Sequence, residues 1–152
     1  MPMNRRTFVA ALGGAIMARP ALSASPEMTV YKDPGCGCCN AWIDVLRADG
    51  FDAVGKNVTR ESLARFKLAN GLTEEMMSCH TGIIEGYLIE GHVPPADIRR
   101  LLAERPEAIG LTVPGMPYGS PGMGPESERE AYDVYLVLKG GKAEVFSSYA
   151  AA

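Results

Sequence analysis

Met28-Thr-Val-Tyr-Lys-Asp-Pro-Gly-Cys-Gly-Cys-Cys39 is followed at once by Asn40-Ala-Trp-Ile-Asp-Val-Leu-Arg-Ala48. Met28 to Lys32 is a β-branched and aromatic run, and Asp33-Pro34-Gly35 stops it, so the segment reads as a strand entering a loop. From Ala41 to Ala48 apolar side chains recur at Trp42, Ile43, Val45 and Leu46, the spacing of an amphipathic helix that ends at Asp49-Gly50. Three of the four cysteines therefore lie at a strand-to-helix junction.

Working outward, Phe51 to Val58 reads as a second strand, and Thr59-Arg60-Glu61-Ser62 opens a helix that runs through Asn70 to a stop at Gly71. Gly82 to Glu85 and Tyr87 to Glu90 are short apolar runs punctuated by Gly86 and Gly91, which predict adjacent strands. Pro95-Ala-Asp97 starts a helix through Glu104, closed by Pro106. Residues 110–125 are rich in proline and glycine and read as one long loop. Tyr132 to Leu138, Gly140-Gly141 and Lys142 to Tyr149 form the clearest hairpin. This order, without repeat or linker, predicts a single α/β (α+β) domain with a central sheet, flanking helices and a C-terminal hairpin.

The N-terminus is of a different kind. Asn4-Arg-Arg-Thr-Phe-Val9 places positive charge before the apolar run Val9 to Met17, and Ala21-Leu-Ser-Ala24 offers small residues for cleavage. Residues 1–24 are expected to be an export signal cleaved near residue 24, and the paired arginines before Phe8 suggest the twin-arginine route. The run falls short of the ~20 apolar residues that span a bilayer, so residues 25–152 are expected to form a periplasmic domain without a membrane span. Loss of three arginines and no acid moves the net charge from −3 to −6. That sign argues against nucleic acid and anionic lipid as partners.

With 47% hydrophobic and 22% charged residues, a domain of this size buries a core without help. The four cysteines are thus not required as staples. Cys36 and Cys39 make a C-x-x-C pair at a helix N-terminus, where unpaired N–H groups and the helix dipole favour a thiolate. Cys36 and Cys38 make a C-x-C pair whose sulfurs can converge on one soft metal ion. Cys79-His80 adds a thiol beside an imidazole, placed just before the third strand where the chain would return to the start of the cysteine helix. Soft thiolates in this number favour Cu(I) over zinc. Pro114-Gly-Met116 and Pro121-Gly-Met123 sit among helix breakers, so these methionines do not belong to a helical core stripe, and thioether sulfur is a Cu(I) ligand. Met76 and Met77 read as core or rim, and His92 as structural. A simple disulfide, or a thiol-disulfide oxidoreductase using Cys36 and Cys39, are the competing readings. The absence of a proline just before the third strand, where Cys79-His80-Thr81 stands, counts against the oxidoreductase.

Tyr31-Lys-Asp-Pro-Gly-Cys-Gly-Cys-Cys39, Ser78-Cys-His-Thr81, Tyr87-Leu-Ile-Glu-Gly-His-Val-Pro94 and the two Pro-Gly-Met segments together resemble the CopG-type periplasmic copper-resistance proteins, a metal-binding "domain of unknown function" family. The resemblance implies a thioredoxin-like fold, copper binding through Cys36, Cys38, Cys39, Cys79 and His80, and a role in copper resistance that handles Cu(I) and Cu(II). Met116 and Met123 rest on the argument from their own chemistry. Copper ions and other periplasmic copper-handling proteins are the expected partners.

Overall fold

Alternation decides the first strand. In the computed structural model, which describes residues 25–152, β1 (Glu27–Lys32) turns Met28 and Val30 fully into the core while Thr29 and Tyr31 stay partly exposed. Helix α1 (Gly37–Ala48) follows and buries Cys39, Trp42, Ile43 and Leu46, one stripe at i, i+3, i+4 and i+7. It starts four residues earlier than the apolar pattern suggests, so Cys38 and Cys39 lie inside its first turn. Strand β2 (Asp52–Asn57) pairs parallel with β1. Helix α2 (Arg60–Ala69) is capped by Thr59, whose hydroxyl accepts from the Ser62 N–H at 3.2 Å.

Strand β3 (His80–Ile84) runs antiparallel to β1 and places His80 opposite Lys32. Strand β4 (Tyr87–Glu90) is antiparallel to β3 and buried along its length. Helix α3 (Pro95–Glu104) has Pro95 in its first turn and buries Asp97, Ile98 and Leu101. One correction concerns residues 110–125. The stretch is not all loop, because β5 (Gly110–Thr112) pairs parallel with β4 and antiparallel to β6 (Tyr132–Leu138). Its three residues are too few to show a period. Strand β7 (Lys142–Tyr149) completes the hairpin with the expected bounds.

Among the described residues the result is one mixed sheet of seven strands in the order β2-β1-β3-β4-β5-β6-β7, with three α-helices, an α+β fold. Its main core joins Met28, Val30, Trp42, Leu46, Ile84, Ile89, Ile98, Leu101, Leu111 and Val134. Each fully buried side chain of this size contributes roughly 1.5–3 kcal/mol relative to exposure, so the scaffold stands on packing. No helix among the described residues is long and apolar enough to cross a membrane. The expected export signal, residues 1–24, lies outside the described residues.

Candidate metal centre

The end of β1, the start of α1, the start of β3 and the segment after β4 meet at one end of the sheet. Asp33 shapes the first of these. Its carboxylate accepts from the Gly35 N–H at 2.9 Å and from Arg60 Nε at 3.0 Å, and these contacts, the amide first, hold it below the usual carboxylate range. The turn closes when the Cys36 N–H donates to the Asp33 carbonyl at 3.1 Å. Cys36 is then the N-cap of α1, with its sulfur accepting from the Cys39 N–H at 3.3 Å. A cysteine does here what serine or aspartate commonly does.

Cys36 and Cys39 are joined by a disulfide, whereas Cys38 and Cys79 are free thiols. Cys38 Sγ lies 3.5 Å from Cys36 Sγ and 3.8 Å from Cys79 Sγ. The four sulfurs all fall within 4.8 Å of one another. The expected convergence of the C-x-C-C motif with Cys79 is therefore observed, with two of the four sulfurs in the oxidised state.

Cys79 also faces inward. Its sulfur is 3.2 Å from His80 Nδ1 and 3.3 Å from His92 Nε2, and these three ligand atoms form a second group within 4.8 Å that shares Cys79 with the first. The sequence reads His92 as structural, whereas the structure brings it to the cluster. Its Nδ1 lies 2.8 Å from the Pro121 carbonyl oxygen. A carbonyl only accepts, so Nδ1 carries the proton, and in the neutral ring Nε2 presents a lone pair to Cys79. Such a fixed tautomer is what a metal-ligating imidazole requires.

Both imidazoles have no solvent exposure. His80 lies against Trp42 with ring centres 4.3 Å apart and meets His92 edge-on at 4.9 Å. Burial, the His92 neighbour and the Lys67 ammonium press His80 well below the ordinary histidine value, and burial lowers His92 as well. Both rings are neutral near pH 7, the form that binds metals. Among the described residues, His80 Nε2 is a buried polar atom without a hydrogen-bond partner, an arrangement that costs about 1–3 kcal/mol. The Cys79 thiol is pushed up to about 12 by burial and by the adjacent Cys38, so the metal-free protein keeps it protonated. A cation that displaces this proton gains a desolvated soft ligand.

Outward, the sulfurs open on a cavity of about 350 Å³ whose walls include Cys36, Cys38, Cys79, Met77 and Met116. Met116 is 54% exposed at its rim, and Met77 also lines it, while Met76 packs in a separate apolar cluster. Met123 does not line this cavity. It is half-buried in the turn where its N–H donates to the Ser120 carbonyl at 2.8 Å. The Pro-Gly loop is tied to the site elsewhere, through Ser78 Oγ donating to the Gly115 carbonyl and through His92 on Pro121.

With this geometry in hand, two solved structures are similar to the chain over nearly the whole described region. Both are copper resistance protein CopG, Form 1 and Form 2, each 42% identical in sequence. Form 2 covers 82% of this chain and 98% of its own at a TM-score of 0.75, and Form 1 covers 83% and 99% at 0.76. The chain belongs to the CopG copper-resistance family. A family model described as "Protein of unknown function, DUF411" matches residues 76–123, the part of this CopG relative that contains Cys79, His80, His92, Met116 and Met123. No curated protein matches. Membership places a copper-related function on this CopG relative, and the sulfur cluster is its candidate metal site.

Two contributors carry little signal in the sequence. Glu90 and Lys67 are buried as an ion pair at 2.5 Å beside the Ser78–Thr81 segment. An acid ending a strand and a lysine in an amphipathic helix look like surface residues. An i, i+4 relation between Lys67 and the buried Leu63 was the available hint.

Proposed function

We propose that the protein is exported by its residues 1–24 and binds copper in the periplasm, holding Cu(I) through Cys36, Cys38, Cys39 and Cys79, with His80 and His92 on the inner side and Met116 at the mouth. The observation that carries this reading is Cys79, one thiol shared between a group of four sulfurs and a group with two neutral imidazoles. Four sulfurs and two imidazoles exceed the donors one tetrahedral ion takes, which favours a small cluster with bridging thiolates. Copper here is cargo: the ion replaces thiol protons and leaves by ligand exchange with another copper-handling protein at the open rim. Met123 enters only if the Pro-Gly loop rearranges on loading.

The Cys36–Cys39 disulfide makes loading redox-dependent. A dithiol reductant gives up two electrons and two protons, becomes a disulfide itself, and leaves Cys36 and Cys39 as thiols; only then are four sulfurs available. In the finer form of this proposal, redox cycling in copper resistance, two Cu(II) ions take one electron each from the Cys36 and Cys39 thiols, which close the disulfide and release two protons. Anaerobic titration with Cu(I), followed by elemental analysis and thiol counting, tests the binding of Cu(I). The reduced chain should bind more than one equivalent and the oxidised chain distinctly less. A copper content near zero in the reduced chain refutes the reading.

A second reading, thiol-disulfide exchange, is favoured by one observation, the Cys36–Cys39 bridge at a helix N-terminus. It predicts that Cys36→Ser abolishes exchange with a dithiol substrate while Cys38→Ser spares it.

A further inference from the structure

The ion pair of Lys67 and Glu90 poses a physical question. Both side chains are almost wholly buried, and buried ion pairs are poor sources of stability, since apolar replacements of similar volume are often neutral or better. What the Glu90 carboxylate does specifically is gather the segment that carries Cys79 and His80. Oε1 accepts from Lys67 Nζ at 2.5 Å and from the Ser78 N–H at 2.6 Å, and Oε2 accepts from Thr81 Oγ1 at 2.6 Å. Lys67 Nζ donates in addition to the Ser78 carbonyl at 2.6 Å. The residues on either side of Cys79-His80 are thus fastened to one carboxylate, and the Gly91 N–H donates to the His80 carbonyl at 3.0 Å. Gly91 has no room for a side chain: a Cβ there would stand 2.6 Å from both Ser78 Cβ and the Val113 carbonyl oxygen. Ser78 is pressed on one side and hydrogen-bonded on the other.

We propose that Glu90 is a positioning residue, which holds Ser78 and Thr81 so that Cys79 Sγ is presented at once to Cys38 and to His92. The inference rests on the copper reading for one of its two readouts and is independent of it for the other. Outer hydrogen bonds of this kind are worth about 10–100-fold in metal affinity when removed.

The experiment compares two double variants, Lys67→Met/Glu90→Gln and Lys67→Met/Glu90→Leu. Both remove the buried charges. Only the glutamine can still accept from the Ser78 N–H and donate to Thr81 Oγ1. The first readout, on reduced metal-free protein, is the rate of alkylation of Cys79 against Cys38 by iodoacetamide, resolved by peptide mass analysis. Cys79 should react about tenfold faster in the leucine variant, as expected of a locally opened segment, with Cys38 unchanged and the glutamine variant close to wild type. The second is Cu(I) affinity by chelator competition, expected to fall about 10–100-fold in the leucine variant and to be restored by glutamine. Thermal unfolding accompanies both, because a merely structural role predicts that affinity and reactivity track stability. Equal behaviour of the two variants at either readout, or loss that simply follows stability, overturns the proposal. If wild-type protein binds no Cu(I), the copper reading fails and the alkylation ratio alone decides for or against Glu90.

Discussion

At the residue scale Cys79 carries the sharpest consequence. An ordinary thiol near 9 is ionised progressively through mild alkali, but burial and Cys38 hold Cys79 near 12. Each Cu(I) that takes Cys79 as ligand must expel its proton, so affinity should keep rising with pH, about tenfold per unit for that proton, beyond pH 9. In Cys79→Ser the part of the rise that belongs to this proton should be absent. Chelator competition across pH checks this, and a wild-type curve that flattens at pH 9 contradicts it. The two histidines act in the opposite window. Their folded values lie below the ordinary 6.5, so below that pH the unfolded chain takes up protons that the folded chain refuses. The metal-free protein should therefore lose stability as pH falls below about 6.5, at up to about 1.4 kcal/mol per pH unit for each ring. Urea unfolding at pH 5 and 7 measures it, and His92→Gln should reduce the slope. His92 also marks where sequence reading stopped. Cys79-His80 announces itself by adjacency, whereas the partner that fixes the His92 tautomer is a carbonyl 29 residues away. No local pattern encodes that contact.

At the element scale, what was legible followed a period or a stop. The hairpin around Gly140-Gly141 and helix α3 behind Pro95 have the expected bounds because turn and cap chemistry are local. Helix α1 begins earlier than its apolar stripe because a cysteine sulfur caps it, and β5 is too short to alternate. The proline and glycine content marks the Pro-Gly segment as a loop but does not encode that it presses on α1. Gly122 has a φ of +82°, and a Cβ there would lie 2.6 Å from the Trp42 backbone nitrogen, whereas Gly115, at +69°, faces open space. Gly115→Ala should cost about 1 kcal/mol for the left-handed backbone alone. Gly122→Ala adds a clash with helix backbone and should cost about 1–3 kcal/mol more. A shift of the urea midpoint at unchanged slope measures both, and equal costs would mean that the loop yields freely.

At the scale of the whole molecule, the sulfurs sit on a sheet that does not need them for its fold. The Cys36–Cys39 bridge closes a loop of only four residues, for which chain entropy gives about 2 kcal/mol. Reduction of the metal-free chain should therefore lower its unfolding free energy by about that amount and leave a cooperative transition, because the main core is built from residues such as Trp42, Leu46, Ile89 and Leu111. If the cluster binds Cu(I) as proposed, the order of stability reverses. A ligand that binds only the folded state adds RT ln(1 + [L]/Kd), about 2.7 kcal/mol at a hundredfold excess over Kd. The reduced chain with Cu(I) should thus unfold at a higher temperature than the oxidised chain, and the gap should widen with free copper. Oxidised protein, with two sulfurs withdrawn, should respond far less. Calorimetry on the four combinations of redox state and copper separates ligand from brace: if Cu(I) raises the oxidised and reduced chains equally, Cys36 and Cys39 are not ligands, and the bridge is structural.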